Sequence, residues 1–219
     1  MRSVMIATPA HDKRVGVHFA DGIANTVRAA LDMNIMPVYW PGEAMLPHAR
    51  NELFRMAVEH KVDDLLWIDA DQGFSAEDVL QILAHPVDVV GAPVRKKTLD
   101  AELYNVRAAS ATIPVDMATG LLIVDGVGTG FLRMSARAVN ALWDKAIEYY
   151  KDGHTCRMVF ETPIVDGNLV SEDFALCEKL KAAGFKIHLD ATLNPSHFGT
   201  VEFKGNFAPW LKQLQQRAA

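Results

Sequence analysis

Two carboxylates separated by one small residue, Asp69-Ala70-Asp71, stand directly after the apolar run Leu65-Leu66-Trp67-Ile68. In an extended chain, residues i and i+2 point the same way at roughly 6.5 to 7 Å between Cα atoms, so both acids can face one ligand. Two like charges that close need a cation or a hydrogen-bond donor between them. The run arrives from Asp63-Asp64 and leaves into Gln72-Gly73. It therefore reads as a buried central strand whose acids lie at its C-terminal edge. That edge is where ligands bind in open α/β sheets.

The elements that must hold this edge in place follow from periodicity. Residues 4–7 form a short apolar strand stopped by Thr8-Pro9-Ala10, and residues 21–33 show helical spacing at Ile23, Val27 and Leu31. A second strand spans 36–40. Pro47 can open a helix to about His60, with Leu53, Phe54, Ala57 and Val58 as its inner face. After the acid-bearing strand, Ser75 with Asp78 three residues on starts a helix to Ala84, and 87–90 is a further strand. Strand and helix alternate over the first 93 residues, which predicts a three-layer α/β fold with a mostly parallel sheet.

Residues 94–130 change character, with short β-like pieces and glycines at 120, 126, 128 and 130, and read as an irregular or antiparallel insert. The spacing of Val139, Leu142, Trp143, Ala146, Ile147 and Tyr150 predicts one helix from Ser135. Another spans 171–183 with Gly184 just beyond its end, followed by a strand over 186–189 and a short helix over 208–216.

Several chemistries fit two acids after a strand. A calcium loop starting at Asp69 needs a ligand at 73, glycine at 74 and glutamate at 80, where the chain has Gly73, Phe74 and Leu80. A phosphatase of the haloacid dehalogenase type needs Thr or Val at position 73. Solvated acids capping a strand remain open for the pair taken alone. Gly126-Val127-Gly128-Thr129-Gly130-Phe131 lacks the third glycine of a dinucleotide loop. Arg95-Lys96-Lys97 is a basic cluster after a strand end, suited to a solvated loop or to phosphate.

Taken in order, the motifs resemble the large inverting family of GT-A glycosyltransferases. Asp69-Ala70-Asp71 is similar to its DxD motif, and Ala49-Arg50-Asn51 to the segment opening the preceding helix. Ser171-Glu172-Asp173-Phe174 resembles its Glu-Asp motif, with Ala183-Gly184-Phe185-Lys186-Ile187 after it. Asp190 and then Ser196-His197-Phe198-Gly199 resemble the segment carrying its late histidine. The resemblance spans residues 4–199 and looks like the compact phage and large-virus versions.

The resemblance implies a Rossmann-like GT-A fold as one domain: a nucleotide-binding half over 1–93, an acceptor and metal-completing half over 94–200, and a tail over 201–219. It implies transfer of one sugar from a nucleotide-diphosphate donor, most often a UDP-sugar, to an acceptor hydroxyl with inversion. The acceptor stays open between a glycan, a protein side chain and a hydroxylated nucleic-acid base. Asp71 and His197, with Asp69 at the ribose or a metal-bound water, would hold Mn²⁺ or Mg²⁺. Asp173 would take the acceptor proton. Thr8, Pro9 and Ala10 would meet the nucleobase, Arg50 the diphosphate or nucleobase, and Ala70, Gly128, Thr129, Gly130 and Glu172 would complete the donor and acceptor surfaces.

Two departures stand out: Leu53 replaces a frequent glycine, and Gln215-Gln216-Arg217 lacks the tryptophan of processive synthases, so processive synthesis is not expected. The alternatives are a glycosyltransferase-like module that binds nucleotide sugars without turnover, and a sugar nucleotidyltransferase. The latter needs a glycine-rich basic loop where Thr8-Pro9-Ala10-His11 stands.

Composition is that of an ordinary globular chain. The 219 residues are 50% hydrophobic and 22% charged, enough for one sizeable core. A net charge of -5 argues against a broad nucleic-acid footprint. Cys156 and Cys177 have no metal-ligand spacing, which suits reduced thiols in a cytoplasm. No run approaches the roughly 20 apolar residues of a membrane span, so a soluble chain is expected.

Overall fold

The computed structural model describes residues 1–110 and 112–218. Its first strands are apolar at successive positions because both of their faces are covered. In β1 (Arg2–Ala10), Met5 and Ala7 join one core cluster while Val4 and Ile6 join the other. β2 (Met33–Pro41) and β3 (Asp64–Ile68) flank it in parallel register. In β3, Leu65 and Trp67 face the first cluster, Leu66 and Ile68 the second.

Helices α1 (Val17–Ala29) and α2 (Leu46–Glu59) follow the first two strands, and α3 (Ala76–Ala84) follows β4 (Gln72–Gly73). Ser75 and Asp78 form the reciprocal capping box that starts α3. Then come β5 (Val89–Gly91), β6 (Val106–Arg107), β7 (Leu122–Val124), β8 (Gly126–Val127) and β9 (Phe131–Ser135). Helix α4 (Ala136–Lys145) leads into the hairpin of β10 (Glu148–Lys151) and β11 (His154–Arg157). The short pair β12 (Ile164–Val165) and β13 (Asn168–Leu169) precedes α5 (Glu172–Ala182). β14 (Ile187–Leu189), β15 (Ser196–Phe198), β16 (Glu202–Phe203) and α6 (Phe207–Ala218) complete the order.

The central sheet has seven strands in the order β2-β1-β3-β9-β5-β14-β7. β9 runs antiparallel to both of its neighbours and β7 antiparallel to β14; the other adjacent pairs are parallel. Phe19 and Ile23 of α1 and Val79, Ile82 and Leu83 of α3 cover one face. Leu53, Phe54 and Ala57 of α2, Val139 and Leu142 of α4, and Leu176 and Leu180 of α5 cover the other. The three layers of the predicted α/β fold are thus present, with small antiparallel sheets beside them.

Three local expectations change. The helix predicted through Tyr150 stops at Lys145, and Ile147 and Tyr150 are exposed. Asp152 and Gly153 both have positive φ, at 52° and 90°, and close a two-residue hairpin loop that competes with helix. Phe131 to Ser135, at the border of the insert, is a central strand. Its Arg133 breaks the apolar pattern yet is buried, donating to Asp64 at 2.6 Å and to the Val87 carbonyl. Helix α1 starts earlier than its apolar spacing suggests, and Val27 and Leu31 face outward.

Candidate functional site

β3 delivers Asp69 and Asp71 at its C-terminal end, and alternation decides where each one goes. Asp69 continues the Leu65–Trp67 side of the strand, toward α2, where Arg50 Nη2 donates to its Oδ1 at 3.0 Å. Arg50 is buried, with its guanidinium carbon 5.5 Å from the Trp67 ring and 5.7 Å from the Phe160 ring. Its Nε and Nη1 have no hydrogen-bond partner among the described residues, although Glu172 Oε1 lies 3.8 Å from Nε. Burial works against this charge, but Asp69, Asp173 and Glu172 outweigh it and keep the guanidinium protonated.

Asp71 leaves the strand and meets a different group. β15 pairs antiparallel with β4, directly after the acids, which sets His197 opposite Gln72. The Phe198 N–H donates to the Asp71 carbonyl at 2.8 Å and locks this register. His197 Nε2 is then 3.4 Å from Asp71 Oδ1, and Lys97 Nζ is 2.5 Å from Oδ2. His197 Nδ1 lies 2.8 Å from the Arg95 carbonyl, which can only accept, so Nδ1 carries a proton and Nε2 faces the acid. Burial raises the Asp71 carboxyl, but the His197 and Lys97 hydrogen bonds outweigh it and hold the pKa down at about 2.

Asp173 stands in the first turn of α5, where the helix dipole favours an anion. Asn105 Nδ2 donates to its Oδ2 at 3.1 Å and the Thr129 hydroxyl to its Oδ1. Gly128 and Gly130 permit this packing: a Cβ on Gly128 would collide with the Asn105 amide, and one on Gly130 would lie 3.2 Å from Asp69 Oδ2.

Two adjoining cavities share Asp69. One, of about 460 Å³, takes Pro9, Arg14, Arg50, Ala70, Asp71 and Phe198 into its wall. The other, of about 310 Å³, is lined by Lys97, Asn105, Gly128, Gly130, Asp173 and His197, among others. Burial at the shared floor raises the Asp69 carboxyl; Arg50 opposes this, and Asp173 and Asp71 add to it. Glu172 is raised by burial and then by Asp173. Around the two cavities the charges balance: Asp12, Asp69, Asp71, Asp173 and Glu172 stand with Arg14, Arg50, Arg95, Lys96 and Lys97. The Asp71 carboxylate oxygens with the His197 imidazole nitrogen beside them are donors of the kind that fit a divalent ion.

Not every expected residue reaches these cavities. Thr8 is fully buried and spends its hydroxyl on the Ile68 carbonyl at 2.9 Å, and Ala10 is buried as well. Thr129 acts on the cavity through Asp173. Asp69 stands with Arg50, so the expected trio of Asp69, Asp71 and His197 does not gather around one point. Among the described residues, the group of three that does gather is Glu43, His48 and Asp152, with ligand atoms within 4.8 Å of one another. Asn105 and Lys97 are additions. Lys97 belonged to a visible basic cluster, whereas Asn105 lies in an irregular segment with no local signal. Cys156 and Cys177 are free and buried. No described helix is long and apolar enough to cross a membrane.

No family model matches the chain and no curated protein matches it. Among solved structures, it is similar to residues 1–349 of S. aureus TarS, at 10% identity and TM-score 0.47, over 87% of this chain and 58% of that one. The same fragment in complex with UDP-GlcNAc gives a TM-score of 0.46 at 10% identity, over 87% of this chain and 56% of that one. A nucleoside-diphosphate-sugar pyrophosphorylase from Vibrio cholerae RC9 gives 0.42 at 8% identity, over 85% and 90% of the two chains. The chain thus spans 58% or less of the TarS fragment, and TM-scores under 0.5 fix no shared activity.

Proposed function

We propose that the protein transfers one sugar from a nucleotide-diphosphate donor, a UDP-sugar by the family resemblance, to an acceptor hydroxyl with inversion. The observation that carries this reading is the meeting at one sheet edge of a buried arginine with free N–H groups, an acid paired with a histidine, and a third acid held by two donors. Arg50 supplies N–H groups for the donor's anionic or nucleobase edge. Asp71 and His197 would hold a divalent cation, which neutralises charge on the departing diphosphate. Lys97, which holds Asp71 Oδ2, would be released by such a cation and could offer its ammonium to the phosphates.

Asp173 is the general base. Asn105 and Thr129 fix its carboxylate and leave lone pairs for the acceptor hydroxyl proton. The acceptor oxygen attacks the anomeric carbon as the carbon–oxygen bond to the diphosphate breaks, and Asp173 receives the proton. One displacement inverts the carbon. Residues 1–93 would carry the donor surface, and the acceptor would enter along the cavity that holds Asp173.

The test is thermal unfolding with a panel of nucleotide sugars in Mn²⁺, Mg²⁺ or EDTA, with donor hydrolysis recorded in parallel. A donor at a hundred times its Kd stabilises by about 2.7 kcal/mol. That corresponds to about 5–11 °C for a chain of this size. No shift and no hydrolysis with any donor under any metal overturns the proposal.

A further inference from the structure

A second cluster lies on the other side of Arg50, where the loop before α2 meets the β10–β11 hairpin. His48, in the first turn of α2, is 4% exposed. Its Nδ1 shares a 2.7 Å hydrogen bond with the Tyr149 hydroxyl, which fixes the ring. Its Nε2 is buried, has no hydrogen-bond partner among the described residues, and points between two carboxylates: Glu43 Oε2 at 3.9 Å and Asp152 Oδ2 at 3.7 Å. Those distances are too long for hydrogen bonds. An orphaned imidazole nitrogen facing two acids is an arrangement that water or protein usually resolves.

The spacing suits one ligand. Zinc held at about 2.0–2.2 Å by imidazole nitrogen and carboxylate oxygens in a tetrahedron places its ligand atoms about 3.3–3.6 Å apart. An octahedral ion at the same bond lengths needs neighbouring ligands at only about 2.8–3.1 Å. The two imidazole–carboxylate edges, at 3.7 and 3.9 Å, need only a small contraction to reach the tetrahedral set, and the carboxylate–carboxylate edge contracts from within 4.8 Å. Imidazole with carboxylates is a zinc donor set, whereas calcium and magnesium prefer oxygen alone. In that state the His48 Nδ1–H donates a hydrogen bond to the Tyr149 hydroxyl and leaves the Nε2 lone pair for the metal. The exposed side of Asp152 leaves the fourth position to water.

We infer that Glu43, His48 and Asp152 form a zinc site, distinct from the Asp71–His197 pair, that clamps the β10–β11 hairpin to the start of α2. The resident cation in the structure is Lys151, whose Nζ lies 3.0 Å from Glu43 Oε2 and 2.5 Å from Asp152 Oδ2. Its ammonium serves both acids but makes no hydrogen bond to His48 Nε2, so one corner of the cluster stays open. Zinc serves all three corners and displaces the flexible lysine to solvent. The clamp lies two residues before Arg50 and fixes the helix turn that carries it. The site needs no nucleotide, so its existence does not depend on the proposed transfer reaction.

The experiment titrates Zn²⁺ alone into the full chain carrying Asp71→Asn, which removes the other pair of ligands, with calorimetry and thermal unfolding as readouts. One zinc should bind and raise the melting temperature. Adding Asp152→Asn should weaken binding at least tenfold with little change in the zinc-free melting temperature, because asparagine tolerates the positive φ of this exposed turn position. His48→Gln should abolish binding. Lys151→Met should tighten it at least tenfold by removing the competing ammonium. Absence of binding in the Asp71→Asn chain overturns the site. So does zinc binding that survives both Asp152→Asn and His48→Gln, or Lys151→Met binding no tighter than its parent.

Discussion

Asn51, next to the arginine that the acids surround, makes a sharp prediction about what holds that arginine in place. Its buried amide reads the backbone of Phe160 as a neighbouring strand would: Nδ2 donates to the Phe160 carbonyl at 3.0 Å and Oδ1 accepts from the Phe160 N–H at 2.7 Å. Asn51→Ala removes both partners and leaves two buried backbone groups unsatisfied, each at about 1–3 kcal/mol. The expected loss is therefore about 2–6 kcal/mol. Even the lower value moves the melting temperature by about 4–8 °C for a chain of this length. Urea unfolding at pH 7 reads it as a lower midpoint at constant slope. Asn51→Asp keeps the acceptor but turns an oxygen toward the Phe160 carbonyl, so it should be no more stable than the alanine variant. A loss below about 0.5 kcal/mol for Asn51→Ala refutes the argument, because it would mean that water or relaxation replaces both bonds. The Phe160 ring is one of the two rings against the Arg50 guanidinium, so the same variant should also weaken donor binding.

Other perturbations separate the remaining roles. Asp71→Asn should abolish the metal-dependent part of donor stabilisation, whereas Asp173→Asn should retain it and lose transfer; normal transfer by Asp173→Asn removes it as the base. Asp64 binds Arg2 and Arg133 with both oxygens, and Asp64→Asn strands the buried Arg133 charge at a cost of about 3–5 kcal/mol, read by urea unfolding. Burial raises the Asp190 carboxyl, but hydrogen bonds from Thr192, Gln81 and His85 outweigh it and hold its pKa below the usual range. Its contribution is thus complete above the unfolded pKa of about 3.9 and is lost as pH falls through the lower folded value. The stability gap between the natural chain and Asp190→Asn should be full at pH 7 and shrink below about pH 4. A gap that does not change with pH contradicts that assignment.

What could be read from the chain alone was whatever local pattern encodes. The apolar run before Asp69, the Ser75–Asp78 cap and the α5 turn with Gly184 beyond it were legible because each is settled within a few residues. The partners of the site were not. Asn105 reaches Asp173 across 68 residues with no periodicity to mark it, and Thr129, expected at the donor and acceptor surfaces, instead donates to Asp173 across 44. Arg133 concealed a central strand because a charge in an apolar run reads as exposure until Asp64 is seen opposite. Thr8 looked like a ligand contact at a strand end, but its hydroxyl is consumed by the neighbouring strand. The Asp152-Gly153 turn lost to helical spacing upstream, and with it the group around His48 went unnoticed.

The place of β9 in the sheet bears on how the protein comes into being. Synthesis delivers β1, β2 and β3 as a three-stranded parallel ribbon well before the strand that must lie beside β3 exists. Until residues 131–135 arrive, β3 presents a bare edge with apolar side chains on both faces, the kind of surface on which unfinished chains pair with one another. β5 must wait as well, since β9 stands between it and β3. The Asp69 N–H is held by the carbonyl of Gly130, so Asp69 takes its final posture only when this late segment docks. A fragment ending near residue 93 should therefore be prone to aggregation, and binding competence should wait until α5 and β15 have brought Asp173 and His197 to the edge that β9 closes.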